Sequence, residues 1–111
     1  MKNKKVVLID DEVDFGILMK RYFSSKRIDV YVAHTLAAGM KLLEEQNPDY
    51  IFLDNILPDG LGWSKTEYIL VNYPQTQLHL ISATDVPKTS ASSFRILEKP
   101  LIWEELKRMF G

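Results

Sequence analysis

The chain has 111 residues, 46% hydrophobic and 26% charged, which fits one folded domain with a real core and excludes wholesale disorder. It contains no cysteine, so a disulfide framework and a zinc–thiolate site are both excluded, in keeping with a reducing, cytoplasmic setting. The net charge of −1 and a pI near 6.1 leave no electrostatic footprint for direct nucleic-acid binding. Behind the basic N-terminus the apolar run covers only residues 6–9, too short for a signal peptide or a membrane span, so no membrane insertion is expected.

In chain order, residues 5–9 (Lys-Val-Val-Leu-Ile) form a continuous β-branched and apolar run, the pattern of a strand buried on both faces. The run stops at Asp10-Asp11-Glu12. Phe15, Leu18, Met19, Tyr22 and Phe23 then recur at helical spacing and predict an amphipathic first helix. Residues 29–33 read as a second strand. Thr35 is the N-cap of a second helix whose inner face carries Leu36, Gly39, Met40 and Leu43, with Gly39 costing about 1 kcal/mol of helix propensity against Ala.

Asn47-Pro48-Asp49 ends that helix. Residues 50–53 (Tyr-Ile-Phe-Leu) give a third apolar strand closed by Asp54, and residues 57–62 are dense in turn formers. A third helix is predicted over 63–71 and a fourth strand over 77–81. A Ser- and Thr-rich stretch with Pro87 at its middle fills residues 83–93. A short last strand, 94–97, and a last helix, 101–109, follow. Strands alternating with helices predict one α/β domain over residues 1–111, a doubly wound, parallel, five-stranded sheet.

Ligands of such sheets bind beyond the carboxyl ends of the strands. The polar residues there are Asp10 and Asp11 after the first strand, Asp54 after the third, Ser82 after the fourth and Lys99 after the fifth. With strand order 2-1-3-4-5, the first and third strands are neighbours and the three aspartates converge. Three close carboxylates repel and call for a cation, and an all-oxygen donor set selects Mg²⁺ or Mn²⁺ over zinc. A metal, an ammonium and a hydroxyl around one carboxylate are what phosphoryl transfer to that carboxylate requires, with Asp54 as nucleophile. Each group alone has a plainer reading: Asp-Asp-Glu as a helix start, Ser82 as a loop cap, Lys99-Pro100 as a turn. Their coincidence at one sheet edge favours the chemistry.

These residues resemble the receiver domain of bacterial response regulators (CheY-like, of flavodoxin-like fold). The likeness lies in Val7-Leu8-Ile9-Asp10-Asp11-Glu12, in the 47–54 run ending at Asp54, in Leu57-Pro58-Asp59-Gly60, in Ile81-Ser82-Ala83 and in Glu98-Lys99-Pro100. The resemblance implies that Asp54 is the phosphoacceptor and that Asp11, Asp54 and the backbone carbonyl of Ile56 ligate Mg²⁺, with Asp10 acting partly through a metal-bound water. It implies that Ser82 bonds a phosphoryl oxygen, that Ala83 leaves room for it, that Lys99 pairs with it, and that the Lys99–Pro100 peptide is cis. The implied partners are a sensor histidine kinase or phosphotransfer protein and an output protein reached by contact, since no effector domain follows the last helix. The domain would catalyse only its own phosphorylation and dephosphorylation.

Two departures stand out: Ile96 occupies the place of the family's Tyr or Phe switch, and residues 83–93 predict a shortened or absent fourth helix. Both features favour the alternative, a pseudo-receiver that binds partners without phosphorylation. A haloacid-dehalogenase-type enzyme needs a carboxylate where Ile56 stands. A flavodoxin-like electron carrier needs a phosphate cradle where Asp10-Asp11-Glu12-Val13-Asp14 would repel one.

Overall fold

The computed structural model describes residues 3–82, 94–98 and 103–110. Strands β1 (Lys5–Ile9), β2 (Asp29–Ala33), β3 (Tyr50–Asp54), β6 (Gln77–Ser82) and β7 (Phe94–Glu98) form one sheet in the order β2-β1-β3-β6-β7. Every pairing in it is parallel. Helices α1 (Val13–Ser25), α2 (Leu36–Gln46), α3 (Thr66–Asn72) and α4 (Trp103–Phe110) complete the fold.

The sequence reading lacks one element. Strands β4 (Ile56–Leu57) and β5 (Gly60–Leu61) pair antiparallel as a separate two-stranded ribbon. Counted along the chain, the main sheet therefore runs 2-1-3-6-7 rather than 2-1-3-4-5. Strands of two residues leave no alternation to read, and Leu57-Pro58-Asp59-Gly60 carries only its turn signal.

The alternation of side chains across each strand sorts the core into two layers. Val6, Leu8, Phe52 and Ile81 face one way and pack with Phe15, Met19, Tyr22 and Phe23 of α1 and Leu106 of α4. Val7, Ile9, Ile51, Leu53, Leu78 and Leu80 face the other way, against Leu36 and Leu43 of α2 and Ile69 of α3. Burial on both faces is why residues 6–9 of β1 and 50–53 of β3 read as unbroken apolar runs. On the first layer Phe23, Phe52 and Phe110 meet at 5.1–6.0 Å between ring centroids.

The caps follow local chemistry. Thr35 Oγ1 accepts the Ala38 N–H at 3.1 Å, as its N-cap position predicts. Asn47 ends α2 in the left-handed region at φ 45°. The third helix is displaced from its predicted span: a 3₁₀ turn over Gly62–Lys65 precedes α3. The predicted loop over residues 83–93, Lys99 with its peptide to Pro100, and the side chain of Ile96 lie outside the described residues.

Gly39 is explained by packing. A Cβ there would lie 2.5–2.8 Å from three side-chain atoms of Ile9, so α2 approaches β1 at a distance only glycine allows. Gly39→Ala should therefore destabilise the fold by about 1–2 kcal/mol, overpacking outweighing the gain in helix propensity of about 1 kcal/mol. Gly16→Ala in α1, where a Cβ would meet only Val32 at 3.5 Å and beyond, should stabilise or be neutral. Chemical denaturation of both variants checks the opposite signs; stabilisation by Gly39→Ala would refute the packing explanation.

Candidate functional site

Register places the acidic residues. Ile9 of β1 pairs with Leu53 of β3, so the next residues, Asp10 and Asp54, leave the carboxyl edge of the sheet side by side. Asp10 is fully buried and Asp54 is 7% exposed, whereas Asp11 on the following turn is exposed. One carboxylate oxygen from each lies within 4.8 Å of the others, a cluster able to hold a metal ion. No His or Cys is part of it, which suits a hard divalent cation.

Short backbone bonds shape the cluster. Asp10 Oδ1 accepts the Glu12 N–H at 2.8 Å, turning the chain from β1 into α1, and the Asp10 N–H continues the sheet ladder onto the Ala33 carbonyl at 2.9 Å. Asp54 Oδ1 accepts the Asn55 N–H at 2.9 Å. Ser82 ends β6, one position beyond Ile81, which pairs with Asp54, and it is 7% exposed. The edge thus brings together Asp10, Asp11 and Asp54, with Ser82 on the adjoining strand. Ile56 heads the ribbon two residues past Asp54, its side chain 69% exposed. Lys99 is outside the described residues.

The segment after Asp54 holds residues with roles beyond the turn signal of 57–62 and the helix predicted from Trp63. Gly62 N–H donates to the Asn55 carbonyl at 2.7 Å, and Trp63 N–H donates to Asn55 Oδ1 at 3.1 Å. The Trp63 indole N–H donates to the Leu53 carbonyl at 3.1 Å. Asp59, at the ribbon's tip, accepts the N–H groups of Leu36 and Ala37 at 2.7 and 2.9 Å, capping α2 from outside that helix. The N–H groups of Ala37 and Leu36 hold the Asp59 carboxyl below its ordinary range. A depressed carboxyl contributes stability above its unfolded pKa, near 4, and loses it as pH falls through the lower folded value. No local signal marks this role, because the partners lie more than twenty positions away in sequence.

Comparison with known proteins then decides the family. Residues 6–110 match the response regulator receiver domain. The chain belongs to that family. Among curated relatives it is 28% identical over 114 residues to the response regulator protein PilR of Pseudomonas aeruginosa, covering 98% of this chain and 26% of PilR. It is 28% identical over 112 residues to the transcriptional regulatory protein DpiA of Escherichia coli K12, covering 91% of this chain and 48% of DpiA. The receiver therefore spans between a quarter and a half of those two relatives. Among solved structures, the signal receiver domain assigned to a Luxo repressor protein from Vibrio parahaemolyticus superposes with a TM-score of 0.83 at 25% identity, covering 97% of this chain and 87% of that one. A response regulator from Burkholderia pseudomallei, solved with a phosphorylated aspartic acid and a calcium ion, shares the fold at a TM-score of 0.84 and 19% identity, covering 98% of this chain and 67% of that one. No helix among the receiver's described residues is long and apolar enough to cross a membrane.

Proposed function

We propose that this receiver is a Mg²⁺-dependent phosphoacceptor switch, with Asp54 as the acceptor. The observation that carries the reading is the cluster of three carboxylates within 4.8 Å of one another at the carboxyl edge of a parallel sheet, two of them buried. An Asp54 oxygen attacks phosphorus and forms the acyl phosphate while the bond from phosphorus to the donor breaks. The donor is the phosphohistidine of a sensor histidine kinase or a phosphotransfer protein, or a small acyl phosphate. Asp10, Asp11, Asp54 and the Ile56 carbonyl would hold Mg²⁺, or Mn²⁺ in its place. The metal supplies neutralisation of the charge carried by the phosphoryl oxygens.

Ser82 would donate a hydrogen bond to a phosphoryl oxygen, and Lys99 would pair with the phosphoryl group. Burial of Asp10 and Asp54 limits competing water around the reacting carboxylate and strengthens these interactions. The receiver catalyses only its own phosphorylation and dephosphorylation, and its output runs through contact with another protein. Incubating the protein with Mg²⁺ and acetyl phosphate and measuring intact mass tests the reading. One added phosphoryl group is expected, and none in the presence of a chelator. An unmodified mass at saturating Mg²⁺ and donor would overturn it.

Metal binding has its own expected result. A ligand that binds only the folded state at a hundredfold excess over its Kd stabilises by about 2.7 kcal/mol, roughly 10 °C in Tm for a domain of this size. Mg²⁺ should raise the Tm accordingly, and Asp11→Ala should remove most of the increment. An equal increment in the variant would place the metal elsewhere.

A further inference from the structure

We propose that Asp59 is a positioning residue for the metal site: by clamping the ribbon's tip to the first turn of α2, it fixes the segment that carries the Ile56 carbonyl. This rests on the Mg²⁺ reading above.

Ile56 has little of its own to hold it. Its side chain is 69% exposed, and it belongs to a ribbon whose strands are two residues each, far too short to be stable alone. Its position is therefore set by what anchors the ribbon at its two ends. At the base, the Asn55 N–H donates to Asp54, and Gly62 and Trp63 donate to Asn55. At the tip, Leu57 is buried in the same core layer as Leu36. Asp59 adds two charge-assisted bonds to the backbone of Leu36 and Ala37. Those are the polar tethers the structure shows for the tip.

The same bonds satisfy N–H groups that α2 would otherwise leave open, so loss of Asp59 has two consequences that must be separated. One is a weaker α2 cap. The other is a loosened metal segment. Thr35 separates them, because its hydroxyl caps α2 through Ala38 and makes no bond to the ribbon. Thr35→Ala weakens the helix start and leaves the tip clamped.

Isothermal titration of the full chain with Mg²⁺ at neutral pH, on wild type, Asp59→Ala, Asp59→Asn and Thr35→Ala, reads the difference. Supporting residues behind metal ligands typically alter affinity by at least tenfold, so the Kd of Asp59→Ala should rise roughly tenfold. Asp59→Asn keeps an acceptor oxygen and should fall between wild type and the alanine variant, which also covers the case in which Asp59→Ala does not fold. Thr35→Ala should keep the wild-type Kd. An unchanged Kd in both Asp59 variants overturns this inference alone, and so does equal weakening in Thr35→Ala, which would reduce Asp59 to a helix cap. Failure of the wild type to bind Mg²⁺ overturns the functional reading and this inference together.

Discussion

Asp54→Asn is expected to abolish phosphoryl uptake while leaving the fold intact, and to be more stable than the wild type when no metal is present. Asparagine keeps the size of the side chain and an oxygen to accept the Asn55 N–H that Asp54 Oδ1 accepts in the wild type. It lacks the nucleophilic charge, so acetyl phosphate with Mg²⁺ should leave its mass unchanged. The stability effect follows from the cluster. Unit charges about 5 Å apart repel by roughly 3 kcal/mol at an effective dielectric of about 20. Asp54 has two acidic neighbours within 4.8 Å, one of them fully buried. Even after generous screening, removing its charge should raise stability by about 1 kcal/mol or more in a chelator. Mg²⁺ should then close or reverse the gap, because the wild type, with all three carboxylates, is expected to bind the cation more tightly than the variant. Phosphate on the variant, or a wild type more stable than the variant in chelator, would remove Asp54 from the centre of this site.

The sheet and the acidic cluster were legible because both are written in short-range patterns. Residues 6–9 and 50–53 are apolar at every position, since each strand feeds two core layers at once. A parallel sheet then delivers the next residue of each strand to one edge, and Asp10 and Asp54 are those residues. Thr35 was readable as a cap because a cap is local. The ribbon and Asp59 were not, for the converse reason. Two-residue strands have no period, and the Asp59 bonds join residues that nothing in the intervening sequence links. In the sequence Gly39 carries only a propensity cost, because the reason for it, the side chain of Ile9, is on another element. The third helix starts at Thr66 rather than at Trp63, whose indole N–H bonds the Leu53 carbonyl from a 3₁₀ turn.

Gly62 is where packing and chemistry meet, and Gly62→Ala is expected to damage both. A Cβ on Gly62 would lie 2.0 Å from the carbonyl oxygen of Asp54, 2.9 Å from Leu53 Cδ1 and 3.2 Å from the Asp54 carbonyl carbon. At Gly39 the obstacle is a side chain, which can shift. Here it is the backbone of β3, held by its pairings to β1 on one side and β6 on the other. The ribbon must move instead, and the 2.7 Å bond from Gly62 N–H to the Asn55 carbonyl is the first to be strained. Overpacking commonly costs about 1–3 kcal/mol, and a contact against fixed backbone belongs at or above the upper end. The Tm should fall by roughly 10 °C or more, further than for Gly39→Ala. Asn55 and Asp54 adjoin the displaced segment, so phosphorylation should slow even in the folded fraction. Misplacement of a reacting group by about 1 Å can cost a hundredfold in rate. Initial rates with acetyl phosphate, measured well below the variant's Tm, separate that loss from unfolding. A Gly62→Ala protein within about 1 kcal/mol of wild type and phosphorylated at the normal rate would show that the ribbon can yield without disturbing Asp54.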